Sequence, residues 1–401
     1  MKTVNKSENL GRNHKMICVL ICLLYHAVTW TSPLRSEEIR VATFNTSLFR
    51  GKSGELTREL ETGKSSHAKA IAEILQIVRP DIVLLNEFDF DSDGKSVACF
   101  KEKYLLVSQN KQKPIRYGFH FAPAVNTGIP SRMDLDGDGK NNGPGDAWGF
   151  GRHRGQYGFV VLSRFPIDTK LTRTFQKFLW KDMPGAKLPQ KKNGTLFYSE
   201  KILSAFRLSS KNHCDVVIQL NDKPLHFLVS HPTPPVFDGE EDRNGKRNHD
   251  EIRFWCDYVS AEKSGYIYDD RGKRGGLDSG DRFVIAGDLN ADPNDGDSTD
   301  NPIGLFRKNP LVNFSVQPKS AGAVEASQSG AANQKQKGNP AFDTADFNDA
   351  TVGNLRIDYV LPSANLRVSS SGVFWPESKK ATSRLIQVTD HRLVWIQFES
   401  K

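Results

Sequence analysis

The segment Phe283-Val284-Ile285-Ala286-Gly287-Asp288-Leu289-Asn290 constrains this chain more than any other. Its leading residues are apolar without alternation, the pattern of a strand covered on both faces. Such a strand belongs inside a layered fold. It ends in a glycine, a carboxylate and a carboxamide, and on an extended backbone Asp288 and Asn290 project to one side. Gly, Asp and Asn also form turns, so the segment alone fits either a site or a plain turn.

Other apolar runs end in the same way. Ile82-Val83-Leu84-Leu85-Asn86-Glu87 stays apolar until it reaches an acid, which is costly to bury without a metal ion or a cationic partner. Leu225–Ser230 leads into His231, held on a stiff corner by Pro232-Thr233-Pro234-Pro235. Asp358, inside Arg356-Ile357-Asp358-Tyr359-Val360, is a mid-strand carboxylate that wants a donor, and Thr389-Asp390-His391 opens a last strand. Each has an ordinary structural explanation as a cap, a turn or a salt bridge; jointly they point to one site. Since the candidates run from Asn45 to His391, a single domain whose ends meet in space is required.

The remaining pattern is strands with a few helices. Strands are expected at Ile39–Asn45, Asp81–Phe88, Gly158–Ser163, Asp215–Leu220, Leu225–His231, Phe283–Asp288, Arg356–Leu361 and Leu393–Phe398. Ala68, Ile71, Ala72, Leu75 and Val78 recur at helical spacing up to Pro80, and a second helix is expected over Asn248–Ala261. Pro130–Gly155 and Gln317–Asn339 read as surface excursions near the site. No fixed-period repeat or heptad run is present, which sets aside solenoids and coiled coils.

Residues 1–32 read as an export signal: Lys2, Lys6, Arg12 and Lys15 precede an apolar run from Met16 to Tyr25, with small residues after it. Cleavage is expected between Ala27 and Ser36, leaving a domain over 36–401 that is secreted or periplasmic; an uncleaved membrane anchor is the alternative. Cys99, Cys214 and Cys256 then remain, an odd number without zinc-site spacing and with room for one bridge at most. The net charge of +8 favours a polyanionic partner, although scattered lysines also suit solvated loops.

Thr43-Phe44-Asn45, Leu85-Asn86-Glu87, Val161-Leu162-Ser163-Arg164, Ser230-His231, Gly287-Asp288-Leu289-Asn290, Ile357-Asp358-Tyr359 and Thr389-Asp390-His391 occur in this order. In this the chain resembles the endonuclease/exonuclease/phosphatase superfamily, which includes pancreatic deoxyribonuclease, apurinic-site endonucleases and neutral sphingomyelinases. The resemblance implies an α+β fold, a four-layer α/β/β/α sandwich of two packed mixed sheets. It implies a metal-dependent phosphoesterase, with Mg2+ or Mn2+ held by Glu87, Asp390 and Asn45. Asp288 would handle the attacking water and Asn290 would fix it or a phosphate oxygen. His391, oriented by Asp358, would contact the phosphate or act in proton transfer, and His231 would protonate the leaving oxygen, with the acid and base roles left open between the two histidines. The substrate would be a nucleic acid, a phospholipid headgroup or a phosphorylated small molecule, and no obligate protein partner is implied.

Two stretches depart from the deoxyribonuclease-like pattern. The glutamate that supports the first histidine there is replaced by Gln156 and Tyr157. The basic run Asp242–His249 offers Arg243 and Arg247 for a second phosphate, or else forms a helix entry whose arginines pair with Asp250 and Glu251. Asp134, Asp136 and Asp138 resemble the opening of a calcium loop, but Gly145 stands where the closing glutamate belongs, with Asp146 as its nearest substitute. A structural Ca2+ and a mobile acidic loop both fit. Two non-enzymatic readings stay open: a catalytically silent binder of phosphorylated ligands, and a calcium-dependent adhesion module.

Overall fold

The computed structural model describes residues 37–221 and 223–400, so the expected export signal lies outside the described residues. The residues from Glu37 onward form one compact unit. In chain order its strands are β1 (Glu38–Leu48), β2 (Ile82–Phe88), β3 (Phe119–Phe121), β4 (Phe159–Ser163), β5 (Arg173–Thr174) and β6 (Cys214–Gln219). There follow β7 (Pro224–Val229), β8 (Phe283–Asp288), β9 (Ala345–Asp346), β10 (Asn354–Leu355), β11 (Asp358–Pro362), β12 (Val368–Val373) and β13 (Val394–Glu399).

Two mixed sheets result, ordered β12-β13-β1-β2-β4-β3 and β11-β8-β7-β6-β5. β1 and β2 are parallel, as are β7 and β8. A parallel pair needs a long crossover; helices Glu55–Glu61 and Ser66–Val78 supply one, and helix Arg243–Tyr258 supplies the other. Ser65 starts its helix by accepting the Ala68 amide hydrogen at 3.1 Å, and Arg79 ends it in the left-handed region just before Pro80.

Alternation along each strand sorts the core into layers. Ile39, Val41, Ile82 and Leu84 meet Phe227, Val229, Val284 and Ala286 between the sheets. The intervening Ala42, Phe44, Val83 and Leu85 turn outward onto Ile71, Ala72 and Leu75. Phe283 and Ile285 turn outward onto Ile252, Trp255 and Val259. This is the expected α/β/β/α sandwich. Parity then fixes the site: Asn45, Asn86, Asp288 and Asp358 continue the inter-sheet rows and aim into the space where the two sheets' ends face each other.

Several expectations change. Helix Arg243–Tyr258 begins five residues before the expected Asn248, so the basic run is its first turns rather than a loop. Asp358 opens β11 instead of lying inside it. Gln317–Asn339 is not wholly irregular: Ser320 caps a short helix, Ala321–Ala326, which puts Ala323 against the inter-sheet core. β12 gave no apolar alternation because Val-Ser-Ser-Ser-Gly-Val is an edge strand whose serines are exposed or half-buried. Cys99, Cys214 and Cys256 are all free. Among the described residues no helix is long and apolar enough to cross a membrane.

Candidate active site

Gly287 is the first requirement. Its φ of 155° lies in a region side chains avoid, and a Cβ there would overlap the Ser230 carbonyl oxygen. The close approach of β7 to β8 therefore demands glycine and brings His231 beside Asp288. The strand stops at Asp288, and Asn290 has a φ of 53°. Its amide donates to Asp288 Oδ1 at 3.0 Å, and its Nδ2 donates to the Pro232 carbonyl at 3.2 Å. Asn290 thus ties the strand end to the His231 corner rather than extending the strand.

Asp288 is the hub. Its Oδ2 accepts from Asn45 Nδ2 at 3.0 Å across the gap between sheets, with His231 Nε2 at 3.4 Å and His391 Nε2 at 3.7 Å. Asp358 is its direct cross-strand partner. Two adjacent carboxylates repel, and His391 relieves the pair by bonding Asp358 Oδ2 through Nδ1 at 2.9 Å. Thr344 secures that carboxylate, donating its hydroxyl to Oδ2 at 3.0 Å and accepting the Asp358 amide at 2.9 Å.

The two histidines are driven apart electrostatically. Burial alone would lower both. At His391 the carboxylates of Asp358, Asp288 and Asp390 outweigh it and raise the imidazole to about 10. At His231 burial acts with the cations Lys211 and His391, and the ring is held well below its ordinary value. Among the described residues its buried Nδ1 has no hydrogen-bond partner. Gln156 does not supply one: it donates to the Arg50 carbonyl at 2.8 Å and accepts the Arg152 amide at 2.8 Å. The missing glutamate support therefore goes unreplaced.

Glu87 is placed by a bulge. Two residues of β1, Thr46 and Ser47, oppose Glu87 alone, and Ser47 and Glu87 have φ of 48° and 56°. Such a bulge re-aims a side chain. Burial pushes the Glu87 carboxyl up to about 7, with Asp288 adding to the rise and His391, Lys211 and Asn45 opposing it. Asp390 lies nearby, its Oδ1 3.8 Å from His391 Nε2. An enclosed carboxylate among further oxygen donors, with no ion pair of its own, suits a hard divalent cation. Asn45 Oδ1 accepts the Ser47 amide at 3.2 Å and keeps a lone pair for a ligand. Of the residues expected to hold a metal, Glu87 and Asn45 offer such oxygens at the site, and Asp390 lies beside His391.

Lys211 was not anticipated. It is 6% exposed, and among the described residues its Nζ donates only to the Pro232 carbonyl, at 3.4 Å. Burial lowers its pKa, while Glu251, Glu87 and Asp288 pull the other way. Its neighbours Ser209, Ser210 and Asn212 gave no apolar frame from which to place it.

Other candidates are placed elsewhere. Arg247, expected at a substrate phosphate, instead gives Nε to the Leu208 carbonyl and Nη2 to those of Trp148 and Arg207, at 2.8, 2.6 and 3.0 Å. Arg243 pairs with Glu241. Neither pairs with Asp250 or Glu251: Asp250 Oδ2 accepts from Trp180 Nε1 at 2.7 Å, and Glu251 accepts the Ser210 and Thr233 amides, both at 2.7 Å. Asp134, Asp136 and Asp138 have carboxylate oxygens within 4.8 Å of one another. Asp146, the nearest substitute for a closing ligand, accepts the Leu135 and Gly143 amides at 2.9 and 2.8 Å.

Solved structures similar to this chain include an endonuclease/exonuclease/phosphatase from Beutenbergia cavernae, 18% identical over 90% of this chain and 72% of that one, with a TM-score of 0.49. An endonuclease/exonuclease/phosphatase family protein from Leptotrichia buccalis is 15% identical over 90% and 99%, with a TM-score of 0.44. Sphingomyelinase C from Streptomyces griseocarneus is 15% identical over 90% and 99%, with a TM-score of 0.45. No curated protein matches the chain. The model of the endonuclease/exonuclease/phosphatase family matches residues 42–391, a span that takes in every residue of the cluster around Asp288. The chain belongs to that family, whose members are metal-dependent phosphoester hydrolases.

Proposed function

We propose that this chain is an exported hydrolase that uses Mg2+, or Mn2+ in its place, to cleave a phosphoester at Asp288. The observation that carries the reading is the convergence of Asn45, His231 and His391 on one carboxylate oxygen, Asp288 Oδ2. The export part rests on the basic and apolar pattern of residues 1–32.

In this reading Glu87, Asp390 and Asn45 hold the metal, which when bound neutralises phosphate charge as a Lewis acid. Asp288 takes a proton from water as the water oxygen bonds to phosphorus and the bond to the leaving oxygen breaks. His391, kept protonated against Asp358, gives its proton to the leaving oxygen. The acid is assigned to His391 rather than His231 because burial, Lys211 and His391 all oppose a charged His231. Afterwards the proton on Asp288 returns to His391 across their 3.7 Å contact, which resets the site. Lys211 steadies a non-bridging oxygen, and Asn290 holds the His231 corner.

Hydrolysis of bis-p-nitrophenyl phosphate with Mg2+ or Mn2+, with and without EDTA, tests this. Turnover that EDTA abolishes and His391→Ala lowers at least ~100-fold is expected. Turnover equal to that variant with every metal, on diesters and monoesters alike, would instead mark a silent binding protein.

A further inference from the structure

With the acid assigned to His391, His231 has no task in the reaction, although it is 3% exposed and stands at the hub carboxylate. Its backbone is fixed at successive residues. The Ser230 carbonyl lies against Gly287, and the His231 carbonyl accepts the Ser210 hydroxyl at 3.3 Å. The Pro232 carbonyl accepts from Asn290 Nδ2 at 3.2 Å, and the Thr233 amide donates to Glu251 Oε2 at 2.7 Å. A buried ring on a corner held at so many points keeps its two nitrogens in separate surroundings.

Those surroundings differ in kind. Nε2 faces Asp288 Oδ2 at 3.4 Å, the oxygen that also accepts from Asn45 Nδ2 at 3.0 Å. An ionised carboxylate offers lone pairs only. Nδ1 is buried, and among the described residues nothing bonds it. A glutamate beside Nδ1 would demand an N–H there. Gln156, which stands near where that glutamate is expected, is instead spent on the Arg50 carbonyl and the Arg152 amide, both at 2.8 Å. This chain therefore lifts the demand.

An imidazole has three protonation patterns, and the surroundings separate them. The charged ring carries two N–H groups but meets one acceptor. Burial, Lys211 and His391 all oppose its charge as well, and they hold the pKa well below its ordinary value. The neutral ring with hydrogen on Nδ1 is unfavourable at both ends. It buries an N–H without an acceptor and sets the Nε2 lone pair against those of Asp288. The neutral ring with hydrogen on Nε2 aims its N–H at the carboxylate and leaves only a lone pair unbonded.

We propose that His231 is a neutral histidine with its hydrogen on Nε2, a positioning residue that donates to Asp288 Oδ2 and exchanges no proton during turnover. With Asn45 it gives Oδ2 two donors, while the Asn290 amide meets Oδ1 at 3.0 Å. The carboxylate is thereby oriented for the attacking water. The role in turnover rests on the phosphoesterase reading; the tautomer does not.

The full chain, isotope-labelled at histidine nitrogen, is examined with Mg2+ at about pH 7 by two-bond nitrogen–proton correlation NMR. The His231 signals are identified by their loss in His231→Gln. A protonated Nε2 and a bare Nδ1 are expected for His231, against two protonated nitrogens for His391. Gln can offer an amide N–H in place of Nε2–H but cannot serve as an acid. On bis-p-nitrophenyl phosphate, kcat for His231→Gln is therefore expected to exceed that of His231→Ala by at least ~10-fold. A protonated Nδ1, in a neutral or a charged ring, would overturn the proposal whatever the rates. A bare Nδ1 with His231→Gln no faster than His231→Ala would overturn the positioning role. A wild type that turns over no phosphoester with any metal would remove the phosphoesterase reading, and the spectrum would still decide the tautomer. Should His231→Gln fold poorly, His231→Asn supplies the assignment.

Discussion

Glu251 holds the candidate site from behind, and its replacement by Gln tests how the site is assembled. The side chain is fully buried on helix Arg243–Tyr258. Oε1 accepts the Ser210 amide at 2.7 Å and the Ser210 hydroxyl at 3.1 Å; Oε2 accepts the Thr233 amide at 2.7 Å. One carboxylate therefore joins the segment carrying Lys211 to the corner carrying His231. Glu251→Gln keeps the shape but puts an NH2 against an amide donor at one end and removes the charge that supports Lys211. A charge-assisted bond is worth ~1.5–3 kcal/mol, and the donor left facing a donor adds to the loss, so about 2–4 kcal/mol of stability should go. Unfolding entropy of ~2.1 cal/mol/K per residue makes this about 3–5 °C in Tm for a unit of roughly 360 residues. Thermal unfolding followed by circular dichroism, with the exposed Glu262→Gln as control, measures it. Activity on bis-p-nitrophenyl phosphate should also fall at least ~10-fold, because His231 and Lys211 lose their common anchor. An unchanged Tm together with an unchanged rate would show that Glu251 does not hold these segments, and the account would fail.

Four other outcomes follow from the same geometry. Asp358→Asn keeps an acceptor for His391 Nδ1 but removes the main charge raising its pKa; the NMR-titrated pKa should drop and the rate fall ~100-fold or more, and an unmoved titration would contradict the pairing. Gly287→Ala should cost upwards of ~2 kcal/mol in urea unfolding, since both its φ and the Ser230 carbonyl forbid a Cβ. His213 donates Nε2–H to the Glu251 carbonyl at 2.8 Å and accepts from Ser209, and burial lowers it from 6.5 to about 4. The unfolded chain then binds more protons than the folded one between those values, so this group's ~3 kcal/mol is present above pH 6.5 and lost as pH falls toward 4; His213→Gln should flatten that slope. Because the three described cysteines are free, dithiothreitol should leave Tm unchanged for the chain lacking residues 1–36.

The strands that form the site were legible because both faces of each are covered. Ile82–Glu87 and Phe283–Asp288 carry unbroken apolar runs, and a polar residue at the end of such a run stands out. The edge strand Val368–Val373 had no such contrast. The histidine partners followed from residue chemistry, yet their opposite electrostatic fates did not, since these depend on Lys211 and the Asp288–Asp358 register, which only the fold creates. Arg247 misled for a related reason. A guanidinium in a basic run looks free in sequence, whereas here helix Arg243–Tyr258 starts early enough to turn it inward onto three carbonyls.

The pairing of Glu38 with Glu399 and of Thr43 with Val394 puts the first and last described strands side by side. On a ribosome, β1 can pair with β2 early, but its other edge waits for nearly all of the described residues before β13 exists. Asp390 and His391 arrive only a few residues ahead of β13. A nascent chain that stops before this segment therefore has neither the β1–β13 pairing nor His391. On the proposed reading, the site is completed by the segment that leads into β13, and losing that segment should disarm it even where every other site residue is present.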